Sequence, residues 1–151
     1  MTSVGAHIPE YASVHVFQNV SVRTGVYVGV CLSAVFSGWV IVANRVPFLE
    51  QFALLRNLAA VAVLCLLAII PVLRFWRLPG HLLASSLIGW LILSISYRLL
   101  SMYFIGLEVR YSAVQVFTLG AVAYMLVVTI SWIGTIIRRA RASDESHLHH
   151  T

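Results

Sequence analysis

Acidic residues are scarce in this sequence: of 151 residues only Glu10, Glu50, Glu108, Asp144 and Glu145 carry a carboxylate, and none lies within a long apolar stretch. Proton-coupled pumps and transporters depend on intramembrane carboxylate or histidine relays, so the absence argues against that mechanism. Lysine is missing altogether. All ten basic residues are arginine, a bias that fits a GC-rich, bacterial genome. The two cysteines, Cys31 and Cys65, form no CxxC pair, which excludes the dithiol of a disulfide-exchange enzyme; both read as small apolar packing residues. Of six histidines only His81 borders an apolar stretch, so the facing pairs that haem ligation across a membrane bundle needs are missing. His7 and His15 precede the first stretch, and His147, His149 and His150 belong to a polar tail with no second ligand cluster to complete a metal site.

Charge is sparse overall. Charged residues make up 10% of the chain and hydrophobic residues 60%, whereas soluble domains carry roughly 25% charge and about 45–50% apolar residues. A water-soluble core cannot absorb that excess. A bilayer span needs about 20 apolar residues, because a helix rises about 1.5 Å per residue through roughly 30 Å of hydrocarbon. Four segments qualify: 24–43, 52–73, 81–104 and 113–137. The first exceeds the apolar length of a cleavable signal peptide, and Ile41 is too large for a cleavage motif ending at Ala43. The linkers are short and hold Pro47, Pro79, Gly80 and Gly106, so sequential spans should run antiparallel. The expected fold is all-α, an integral membrane four-helix bundle with up-down-up-down topology. It is flanked by an interfacial segment over 1–23, with valines at 14, 16, 20 and 22, and by a basic, then polar, tail over 138–151. Pro71 should kink or end the second span.

Positive charge sets orientation. Arg23, Arg74, Arg77, Arg138, Arg139 and Arg141 fall on one side, against Arg45, Arg56, Arg98 and Arg110 on the other. Six against four places both termini in the cytoplasm of a bacterial inner membrane. The net charge of +5 is spread over span ends and not gathered on one water-exposed face, so nucleic acid is not an expected partner. Aromatic residues mark the two interfaces: Trp39, Phe48, Phe52, Tyr103, Phe104 and Tyr111 at one, Tyr27, Phe75, Trp76 and Trp132 at the other.

Apolar area does not by itself hold helices together in lipid; close packing of small residues and interhelical hydrogen bonds must. Gly25, Gly29, Ser33 and Ser37 recur every four residues in the first span, a stripe along which another backbone can approach, within the chain or from a second copy. Ser85 and Gly89 repeat the spacing in the third span, and Ala113, Gly120 and Gly134 stand at multiples of seven in the fourth. The serines and threonines of the spans have no base to activate them, so hydrogen bonding within or across helices is their expected role. Tyr97 and Tyr124, as lone phenols, are expected at packing seams, the alternative being that they line a polar cavity.

Arg98 falls well inside the third span, six residues before its outer end. An arginine at that depth snorkels, pairs with an anion or serves a site. With Arg56, Asn57, Gln115, Glu50 and Glu108 it forms a candidate polar cluster, either an ion-pair network or a receiver for an anionic ligand. Small multidrug transporters share the four-span outline but carry a coupling glutamate in the first span, which this chain does not. With no catalytic set and no implied cofactor, the expected role is that of a non-catalytic accessory or assembly subunit or a homo-oligomer. The alternative is a small transporter, channel or lipid-binding protein built around the outer-side arginines. The expected partners are membrane lipids, together with other subunits or copies of the chain itself.

Overall fold

The computed structural model describes residues 10–45, 52–103 and 112–148. These residues form four helices and no strand: α1 (Glu10–Arg45), α2 (Ala53–Phe75), α3 (Pro79–Tyr103) and α4 (Ala113–Leu148). All four are long and apolar enough to cross a membrane. The all-α four-helix bundle is therefore the fold of the chain. The segment with even-spaced valines is helical and continuous with the first span, and α4 likewise runs past residue 137 through the arginines. At 36 residues each, α1 and α4 are about 54 Å long, well beyond the roughly 30 Å of hydrocarbon. Their excess lies at the end of the bundle that holds the α2–α3 turn. Arg23, Arg74, Arg77, Arg138, Arg139 and Arg141 are all exposed there.

Pro71 neither ends α2 nor reaches its surface: it is buried, and the helix continues to Phe75. The turn that follows is tight. The Leu78 amide donates to the Phe75 carbonyl at 2.8 Å, and Pro79 opens α3 at a position where its missing N–H costs nothing. His81, just inside α3, stacks on buried Phe75 with ring centroids 5.8 Å apart.

The most intimate packing joins α1 to α3, which are not neighbours in sequence and run parallel. Ser21, Gly25, Gly29 and Ser33, spaced by four, are all buried along α1, and Ser85, Ser86 and Gly89 are buried on α3. A Cβ placed on Gly25 would stand 2.7 Å from the Ser85 carbonyl oxygen, and one on Gly29 would stand 2.8 Å from Cβ of Ile92. Only glycine allows backbones this close. Around the seam, Val28, Leu32 and Leu93 form one core cluster, joined by Phe36, Leu64, Leu67, Ile70 and Trp90. A second cluster of Phe75, Leu82 and Tyr124 lies towards the α2–α3 turn. Three serines in and beside the seam turn back on their own helices. Ser85 and Ser86 both donate to the Leu82 carbonyl, at 3.2 and 2.6 Å. Ser37 likewise donates to the Ser33 carbonyl at 2.7 Å. Each of these hydroxyls is satisfied about one turn back and behaves as a small side chain in an apolar setting.

α4 packs chiefly on α3, where the Trp90 indole covers Gly120 so closely that any side chain at 120 would overlap the ring. α2 lies against α1 and, less closely, against α3, and only Pro71 and Phe75 of its 23 residues are buried.

The glycine contacts differ enough to test. Gly25→Ala and Gly29→Ala should each destabilise the bundle by about 1–3 kcal/mol, the usual cost of overpacking. Gly89→Ala, whose new Cβ meets the Gly25 carbonyl oxygen at 3.5 Å, and Gly38→Ala, with nothing within 4 Å, should be nearly neutral. Unfolding in detergent with increasing SDS, followed by circular dichroism, reads the difference. Equal losses at positions 25 and 38 would refute the close approach.

Candidate functional site

Two polar contacts tie α4 to the C-terminal half of α2. Pro71 has no N–H for the Leu67 carbonyl, which opens the helix ladder in that turn. The Tyr124 hydroxyl donates to the adjacent carbonyl of Ala68. One heptad further along α4, buried Ser131 donates to the carbonyl of Trp76, the C-cap of α2, whose terminal carbonyls have no partner within the helix. Both donors lie on the same face of α4 as Gly120.

At the opposite end α2 and α4 have no such clamp among the described residues, and the space between them is a cleft of about 310 Å³. Its walls are Val61, Leu64, Cys65 and Ala68 of α2, Leu32 and Phe36 of α1, Trp90, Leu93 and Tyr97 of α3, and Val116 of α4. No polar surface lines it. Val61 and Cys65 are exposed, so the cleft opens sideways towards the bilayer. Ala68, whose carbonyl accepts from Tyr124, is the cleft's lining residue of α2 nearest the α2–α3 turn. The upper end of the cleft carries a small aromatic and polar collar. Trp39 Nε1 donates to Asn57 Oδ1 at 2.9 Å, and Phe36 contacts Trp39 and Tyr97 with ring centroids 5.8 and 5.6 Å away.

Arg56 precedes Asn57 in the first turns of α2 and is half-buried. Its Nε and Nη1 are buried and meet no hydrogen-bond partner among the described residues. The surroundings do not favour a cation. The first turn of α2 has no acidic residue and its N-cap, Phe52, supplies no side-chain acceptor, so the guanidinium stands beside the positive end of a helix dipole. Burying a charged donor without a partner costs still more. An anion at this position would relieve both effects.

The six residues of the candidate cluster have separate surroundings. Asn57 is held by Trp39. Gln115 caps α4: its Oε1 accepts from the Ser112 amide at 2.8 Å while Ser112 Oγ accepts from the Gln115 amide at 3.2 Å, a reciprocal capping box. Arg98 is exposed and lines a groove between α3 and α4 beside Ser94, Ala113, Val114 and Phe117. No hydrogen bond among the described residues joins two members of the cluster, and Glu50 and Glu108 lie outside those residues. Both cysteines are free, Cys31 half-buried and Cys65 in the cleft wall. Among the described residues no three histidine, cysteine or acidic side chains converge as a metal site would require.

Sequence reasoning missed the capping role of Gln115, although Ser-x-x-Gln before an apolar run is its signature. It placed Tyr124 at a packing seam and expected the span serines to bond within or across helices, but missed that Tyr124 and Ser131, seven residues apart, both bond carbonyls of α2. No protein-family model, curated protein or solved structure matches this chain.

Interhelical hydrogen bonds in membranes average about 0.6 kcal/mol, so Tyr124→Phe and Ser131→Ala should each cost about that much. Their combination should also speed hydrogen exchange of the α2 amides from Ala68 to Phe75 while leaving the α1–α3 seam protected. Uniform acceleration across all four helices would show that the clamps hold the whole bundle and not α2 alone.

Proposed function

We propose that this small polytopic membrane protein is non-catalytic and works by lateral contact, as an accessory or assembly subunit of a larger membrane complex or as a homo-oligomer. The observation that carries the reading is the thin packing of α2. With two of its residues buried, it turns most of its surface outward, including the small side chains Ala59, Ala62 and Cys65 at three-residue spacing. Small residues on an outward helix face let another backbone approach, which is the means of association available in lipid. Gly25 and Gly29 of α1, by contrast, already face α3. In this reading the chain sits in a bacterial inner membrane with both termini in the cytoplasm, the six exposed arginines of one end meeting the anionic inner leaflet.

A second reading, a small transporter, channel or lipid-binding protein, is favoured by the guanidinium nitrogens of Arg56 that meet no partner among the described residues.

Extraction of the untagged protein from its own membranes in mild detergent, followed by native mass spectrometry, should find it with larger subunits in fixed ratio or as a defined oligomer. A lone monomer would overturn the accessory reading. A reporter fused after Thr151 should be active only in the cytoplasm, and periplasmic activity would reverse the orientation.

A further inference from the structure

We propose that the groove at the α2–α3 turn binds one anionic phospholipid, its phosphate held by Arg74 and Arg77; this goes beyond both readings above and needs only that the chain spans a bilayer. The groove has a volume of about 680 Å³ and is lined by Val72, Leu73, Arg74, Trp76, Arg77 and Leu78. One candidate span ends at Phe75 and the next begins at Pro79, so the groove straddles the membrane boundary. Its lining changes character there. Along the chain, Val72 and the exposed Leu73 come before the boundary, Arg77 comes after it, and the exposed Trp76 stands between them. A tryptophan at that level has an apolar body for the hydrocarbon side and a polar edge for the water side.

Charge decides the class of ligand. Arg74 and Arg77 are both exposed, and neither makes a hydrogen bond or ion pair with a described residue. The Arg74 guanidinium lies 5.8 Å from the centre of the Phe75 ring, a contact that leaves its N–H donors open. The acidic residues of the described helices are distant. Glu10 lies ten residues, about 15 Å of helix, beyond Val20, which packs against the Phe75 cluster. Asp144 lies thirteen residues, about 20 Å, beyond Ser131, which bonds the Trp76 carbonyl. Two guanidinium groups in one groove repel each other, and a phosphodiester between them relieves the repulsion while accepting from both. The backbone that carries them is already held. Phe75 is buried and stacked on His81, the Leu78 amide donates to the Phe75 carbonyl, and Ser131 donates to the carbonyl of Trp76. Binding therefore need not order the turn, which lowers its cost. A phosphate ion from water would use the arginines alone, whereas a phospholipid also covers the exposed Leu73 with an acyl chain.

The test is a lipid-retention measurement by native mass spectrometry. The full chain is delipidated in detergent and offered phosphatidylglycerol and phosphatidylcholine with identical acyl chains. The wild type should retain one phosphatidylglycerol per chain with about a tenfold preference, the worth of one charge-assisted hydrogen bond. Arg74→Gln combined with Arg77→Gln should abolish the preference, and either change alone should lower it to about threefold. Arg139→Gln combined with Arg141→Gln removes the same charge from exposed positions of α4 at the same end of the bundle, and should leave the preference intact. Circular dichroism shows whether each variant keeps its helices, and the single variants decide if the double one does not. Glycerol phosphate at the concentration of the lipid should not displace it. Equal loss in the α4 variant would trace the preference to the field of the whole end and overturn the site. Displacement by glycerol phosphate would overturn the lipid in favour of a water-soluble phosphate. No preference in the wild type would overturn the proposal outright.

Discussion

The approach of α1 to α3 at Gly25 and Gly29 is the contact from which the rest of the bundle is built. In lipid the hydrophobic effect gives two helices no reason to prefer each other to acyl chains, so association depends on how closely backbones can pack. With the Ser85 carbonyl 2.7 Å from where a Gly25 side chain would begin, the seam gains dispersion contact along several turns. The parallel α1–α3 pair then presents two grooves. α2 lies along one, and α4 docks on α3 through Trp90 over Gly120. Short connections would make α1–α2 or α3–α4 the expected closest pair in a simple square bundle; small side chains decide otherwise.

Polar groups fix what the seam leaves loose. Ser37, Ser85 and Ser86 bond to carbonyls of their own helices and ask nothing of a neighbour. The interhelical bonds of Trp39, Tyr124 and Ser131, by contrast, all end on α2. Two use backbone carbonyls, one beside the Pro71 break in the ladder and one at the C-cap. Pro71 frees the Leu67 carbonyl in that turn, while Tyr124 bonds the neighbouring carbonyl of Ala68. The helix with the least buried surface is positioned by directional contacts at its two ends, with an apolar gap between them.

Much of this was legible in the sequence, because span length, hydropathy and breaker residues are local properties. The four helices lie where the apolar runs place them, and α1 and α4 differ only in continuing past the hydrocarbon, since neither Ala12–Val22 nor Arg138–Ser143 contains a proline or glycine to stop a helix. The four-residue spacing of Gly25, Gly29 and Ser33 marked a close-packed face, but which helix it meets is a property of three-dimensional assembly that no spacing encodes. Arg98, the residue that depth alone made most suspect, is exposed between α3 and α4. Arg56, a member of the same candidate cluster at the start of its span, has buried nitrogens that meet no partner among the described residues. Depth in the membrane and burial in the protein are different coordinates, and a sequence reports only the first.

The same distinction bears on where function can reside in so apolar a chain. A site needs either chemistry or an unfilled shape, and among the described residues no three histidine, cysteine or acidic side chains converge to hold a metal. An unfilled shape is what the described residues do show. The α1–α3 seam is closed, with no room even for a methyl group at Gly25, so it serves only to hold the protein together. The α2–α4 gap is the opposite case: an apolar cleft of about 310 Å³ that packing leaves unfilled. Because that cleft is apolar and opens sideways at Val61 and Cys65, what fills it in a bilayer is hydrocarbon and not water.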